Sequence, residues 1–96
     1  MLTLPIKKKW FDMIISGEKK EEYREIKPYY TSRFCKKPNV IIFRNGYSSK
    51  SPSVKCTVEI IKGYGKEEWG AEPNKEYYVL KILEIEKDKG QINENC

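Results

Sequence analysis

Histidine is absent from the 96 residues. With it go the Ser-His-Asp and Cys-His nucleophile systems, histidine acid/base pairs and histidine-containing zinc sites. Catalysis by this chain would fall to Lys, Glu, Asp, Tyr, Ser, Thr or Cys. Cysteine is scarce: Cys35, Cys56 and Cys96 are odd in number and form no CxxC pair, which suits reduced thiols better than a disulfide framework. No apolar run approaches the roughly 18 residues of a membrane span, which argues against a membrane role. The N-terminus lacks the basic-then-apolar order and small-residue cleavage site of a secretory signal, so the cytoplasm is the expected compartment. Linkers, repeats and low-complexity blocks are missing too, so residues 1–96 read as a single domain. A chain of this size buries only about 60 to 70% of its unfolded surface, so most of its large apolar residues are needed for the core.

Charge is what the sequence has in quantity, at 34% of residues against 39% hydrophobic. The net +5 comes from 19 basic and 14 acidic side chains, unevenly spread. Residues 1–50 carry 12 basic and 5 acidic groups, net +7, and residues 51–96 carry 7 and 9, net −2. A positive field made by one half of a chain fits a polyanionic partner such as nucleic acid or a phosphorylated ligand, and fits equally a basic surface without a specific target.

The apolar pattern predicts a mixed order of elements. Leu2-Thr3-Leu4 alternates as a short strand ended by Pro5. Ile6, Trp10, Met13 and Ile14, widened by Phe11 and Ile15, follow helical spacing, and Gly17 stops the helix with a left-handed cap. A strand over Tyr23 to Ile26 precedes a short helix opened by Pro28 and closed by Pro38. Val40-Ile41-Ile42-Phe43 reads as a strand buried on both faces. After an Asn45-Gly46 turn, Val54, Cys56, Val58 and Ile60 alternate with polar residues as a half-buried strand. A turn-rich stretch then leads to a last strand over Tyr77 to Glu86. The expected fold is α+β, a small barrel of about five to six strands with two short helices.

Lys7-Lys8-Lys9 stands at the helix start, where the macrodipole disfavours cations. It reads either as an anion-attracting patch or as a solvated face. In Gly17 to Arg24, period two puts Glu22 and Arg24 on one strand face and Tyr23 on the other. Lys19 converges on Glu22 only if it still belongs to the turn. An inward Glu22 between Lys19 and Arg24 would be compensated; the alternative is a surface ion-pair ladder worth under about 1 kcal/mol per pair. Arg44, Asn45, Tyr47 and Ser48 offer the mixture that holds phosphates and stacks bases, though loops are commonly polar. Trp69 is a stacking platform or a lid on the barrel end. Tyr29, Tyr30 and Arg33 are further candidates for base contact, or simply a helix packed by its aromatic side.

Gly17, Lys19, Glu22 and Arg24 spell GxKxxExR, and in this motif the chain resembles the ASCH domain family. Leu4 to Tyr23, Ile42 to Gly46 and Tyr77 to Ile82 are similar to small bacterial and phage members. The resemblance implies a PUA-like β-barrel and a cleft centred on Lys19, Glu22 and Arg24 that receives RNA, a nucleotide or a nucleoside, with no cofactor. One branch of the family hydrolyses N-acetylcytidine with a lysine, a threonine nucleophile and a glutamate. Its lysine falls on Lys19 and its threonine on Glu22, where this chain departs; its glutamate falls among Glu67, Glu68 and Glu72. A metal-independent hydrolase, ribonuclease or amidohydrolase, with Lys19 and Glu22 as catalytic proton-transfer pair is the alternative to a binding domain, and a protein-interaction module is the second alternative.

Overall fold

Leu2–Pro5 forms strand β1, Lys8–Ser16 helix α1, Glu21–Glu25 strand β2 and Pro28–Phe34 helix α2. Val40–Arg44, Ser53–Tyr64 and Glu76–Glu86 follow as strands β3, β4 and β5, with a single 3-10 turn over Glu67–Trp69 in the last connection. The computed structural model describes residues 2–86; Cys96 lies outside them.

The five strands make one curled sheet in the order β1-β3-β4-β5-β2. β3, β4 and β5 are successive antiparallel neighbours, β2 joins β5 antiparallel, and β1 joins β3 in parallel. At Thr57/Val58 the β4–β5 register shifts, since Thr57 faces Glu84 and Val58 faces Ile82, leaving Leu83 unpaired. The amide of Val58 donates to the Asn39 carbonyl there, at 2.8 Å. Such a bulge adds local twist and helps a sheet curl.

The core fills the inner face of that curl with Leu4, Ile14, Ile41, Phe43, Cys56 and Leu80 at its centre. α1 contributes Phe11 and Ile14, and α2 contributes Phe34, whose ring meets Tyr78 edge-on. A smaller cluster of Ala71, Tyr77 and Val79, with Tyr23 packed against it, lies on the other face of β5. β3 departs from the expected strand buried on both faces: Ile41 and Phe43 are buried, whereas Val40 and Ile42 are half-buried. Its second face has no covering layer as complete as the core. β2 begins at Glu21, two residues earlier than the apolar pattern suggests, because the ladder to β5 already starts at Glu21 and Lys81.

Candidate functional site

The two outer strands are brought within side-chain reach of each other. Arg24 on β2 donates from Nη2 to the carbonyl of Pro5, the last residue of β1, at 2.7 Å. The same guanidinium donates from Nε and Nη2 to Glu22 Oε2 at 3.1 and 2.8 Å, and from Nη1 to the Tyr30 hydroxyl at 3.1 Å. A planar fork of five donors suits this task, since it can serve a carboxylate, a carbonyl and a hydroxyl at once. One side chain thus bridges a seam that has no backbone ladder.

Glu22 and Arg24 stand opposite Leu80 and Tyr78 of β5. Both of those residues belong to the main core, so the two charged side chains share the inner face of the curl. Lys19 arrives from the turn. Gly17 takes φ +86° and donates to the Ile14 carbonyl, and the Lys19 amide donates to Met13 at 2.9 Å. That reversal keeps Lys19 out of the strand. Its Nζ donates to the Trp69 carbonyl at 2.6 Å and lies 3.3 Å from Glu22 Oε1. It also lies 4.9 Å from the Trp10 ring centre and 5.0 Å from that of Tyr23.

The side chains of Lys19, Glu22 and Arg24 are 0, 9 and 10% exposed, so this is a buried ionic group and not a surface ladder. Burial pulls the Lys19 pKa down, more strongly than the neighbouring carboxylate pulls it up. The Trp69 carbonyl and the two aromatic faces give the ammonium partial compensation.

A cleft of about 580 Å³ wraps round the free edge of β2 along the seam. Trp10, Tyr23, Tyr30, Tyr47 and Tyr77 give it aromatic surface. Lys7, Arg24 and Lys27 supply positive charge, Glu22 and Glu25 negative charge, and Asn45 an amide. Glu25 is engaged by Lys75 at 3.0 Å and Lys27 at 3.5 Å, and these bonds hold its carboxyl below the usual range. Lys7 makes no ion pair among the described residues. Asn45 is fixed by donating from Nδ2 to the Ile6 carbonyl at 3.1 Å.

Of the residues singled out from sequence, Lys7, Glu22, Arg24, Tyr30, Asn45 and Tyr47 line this cleft, whereas Tyr29 and Arg33 do not. Lys19 sits behind Glu22, sealed from solvent. Gly17 and Lys19 both border a separate groove of about 210 Å³ between the end of α1 and the bulge in β5. Lys8 pairs with Asp12 at 2.7 Å on the exposed side of α1. Ser48 accepts from the Lys50 amide inside its own loop. Arg44 and the Trp69 ring do not line the cleft; Trp69 contributes its backbone carbonyl to Lys19, and its ring lies under Lys66 at 4.6 Å. Trp10, Tyr23, Glu25, Lys27 and Tyr77 are among the lining residues missed by pattern reading. Trp10 follows the core stripe by spacing, and only its place beside three lysines marks it as different.

Cys56 is buried and its thiol is pushed up to about 11 by burial, so it is no nucleophile at neutral pH. Among the described residues, no three His, Cys, Asp or Glu side chains group as metal ligands. No helix among the same residues is long and apolar enough to cross a membrane. No family model, curated protein or solved structure matches this chain.

Proposed function

We propose that the protein is an ASCH-type, PUA-like domain that holds an unpaired nucleotide of RNA in the seam cleft. The observation carrying this reading is the joining of the GxKxxExR residues into one ionic group, with Glu22 and Arg24 in the wall of an aromatic cleft. Aromatic faces stack bases regardless of sequence, amide and carboxylate groups meet base edges, and lysines meet phosphates. At about 580 Å³ the cleft lies in the range that encloses one small ligand, about 300 to 1,000 Å³. The excess of positive charge in residues 1–50 supports the same partner.

Fluorescence anisotropy with a short single-stranded RNA tests this. If about three to five phosphates are neutralised, log K is expected to fall against log salt with a slope of about −2 to −4. No affinity for RNA at low salt, together with none for ribonucleoside monophosphates, would reject the reading.

The hydrolase alternative draws on one observation, the lowered pKa of Lys19 beside Glu22. A lysine with a loosened proton suits acid/base work. Against it stands the complete burial of the Lys19 side chain, which leaves Glu22 between the ammonium and the cleft. Turnover of N-acetylcytidine or RNA that disappears in Lys19→Ala would favour the enzyme; binding without turnover favours the domain proposed here.

A further inference from the structure

The cleft has room for one nucleotide-sized ligand, yet its mouth carries an aromatic ring that faces outward. Tyr47 lines the cleft and is also 91% exposed, the most exposed large apolar side chain described. Its position is braced. The Asn45 amide donates to the Pro52 carbonyl at 2.8 Å, and the Ser51 amide donates to the Ser48 carbonyl at 3.0 Å. The Asn45 side chain ties the loop to Ile6. Gly46 takes φ +127°, and a Cβ there would stand 2.4 Å from Ser51 Oγ, so the loop is folded back on itself as closely as glycine permits.

The loop backbone that carries the ring is thus set before any ligand arrives, which leaves only the side-chain rotamer of Tyr47 to be ordered on stacking. The tyrosine hydroxyl and ring make no hydrogen bond or aromatic contact among the described residues. Lys50 stands in the same loop and Lys7 lines the same cleft, two cations available to the phosphates of a bound strand.

We infer that the ligand is single-stranded RNA contributing at least two consecutive unpaired nucleotides, one held in the cleft and its neighbour stacked on Tyr47. The inference rests on the nucleotide reading of the cleft and adds a second position at its mouth, on the exposed side of Tyr47. A rigid duplex has no unpaired neighbour to offer this ring, so duplex RNA is expected to bind more weakly than the single strand.

The experiment compares wild type, Tyr47→Ala and Tyr47→Phe against a short mixed-sequence single-stranded RNA, its duplex, and each of the four ribonucleoside monophosphates. Anisotropy reads the labelled RNA, and quenching of tryptophan fluorescence reads the monophosphates. Loss of a base-stacking ring costs about 1 to 3 kcal/mol, so Tyr47→Ala is expected to weaken single-stranded RNA by about 5- to 150-fold. Monophosphate affinity is expected to fall by a clearly smaller factor than RNA affinity, because Tyr47 is one of five aromatic rings lining the cleft, and Tyr47→Phe is expected to retain RNA affinity.

Unchanged RNA affinity in Tyr47→Ala would overturn the inference. So would an equal loss for RNA and monophosphate, which would mean that Tyr47 serves the nucleotide in the cleft and no neighbour of it, and so would equal binding of duplex and single strand. Wild type that binds a monophosphate but gains nothing from RNA defeats this inference alone. Wild type that binds neither defeats the cleft reading with it.

Discussion

Without its carboxylate, the position of Glu22 would leave Lys19 and Arg24 as two like charges facing each other in a site of 0 to 10% exposure. Breaking a buried pair from one side costs about 3 to 5 kcal/mol, against under about 1 kcal/mol for an exposed pair. Glu22→Ala is therefore expected to lower the unfolding free energy by about 3 kcal/mol in chemical denaturation. A loss under about 0.5 kcal/mol would mean that the carboxylate is solvated. Lys19 carries a second expectation. Burial lowers its pKa below the ordinary 10.5, so the folded chain releases this proton before the unfolded chain does. Between the two values the unfolded state holds more protons, and the Lys19 contribution to stability rises with pH until 10.5. Tyr23, raised by burial, and Lys75, raised by its bond to Glu25, act in the opposite sense in the alkaline range. The quantity to measure is thus the difference in stability between wild type and Lys19→Met, which is expected to grow from neutral pH toward 10.5; a difference flat in pH would contradict the burial. The convergence of these three residues was legible because period two and a left-handed glycine are both written in side chains. The Trp69 and Pro5 carbonyls that complete the group were not, since a backbone acceptor leaves no mark in residue type.

Two glycines place the elements around this group, for different reasons that substitution separates. Gly17 takes φ +86°, and a Cβ there would meet nothing within 4 Å, so Gly17→Ala meets backbone strain alone, about 1 to 2 kcal/mol. Gly65 has an ordinary φ, but a Cβ there would lie 2.4 and 2.5 Å from atoms of the Tyr23 ring and 2.8 Å from the Ala71 side chain. Gly65→Ala is therefore expected to cost about 1 to 3 kcal/mol through overpacking, and less in a Tyr23→Leu background. Thermal or chemical denaturation of the four proteins checks it; equal costs in both backgrounds would remove the ring contact as the cause. Among the elements, α1, α2 and the alternating stretch of β4 follow from spacing and from Gly17 and Pro28. The parallel β1–β3 pair does not, because Leu2-Thr3-Leu4 is too short to specify a partner by pattern, and its place is decided by packing Leu4 into a core assembled by distant residues. Nor does the bulge, whose extra residue Leu83 lies inside an otherwise continuous strand.

At the scale of the molecule, an α+β chain with a curled sheet follows from the close succession of strands after two early helices, but the strand order belongs to long-range packing. β1 and β2, separated in sequence by α1 alone, end at opposite edges of the sheet and meet again through Arg24. This arrangement has a kinetic side. β3, β4 and β5 pair with their sequence neighbours, whereas β2 must wait for β5, and β1 for β3, across much longer loops. Closing longer loops costs more entropy and slows the contacts that depend on it. The β3–β4–β5 meander is therefore expected to form in the folding transition state, with the N-terminal third docking afterwards. In stopped-flow chevrons, Val58→Ala should chiefly slow refolding and Arg24→Ala should chiefly speed unfolding; the reverse pattern would show that the seam closes early. The seam cleft is then the last part of the protein to exist during folding and the first to be lost, so any molecule that the cleft held would act as a brake on unfolding.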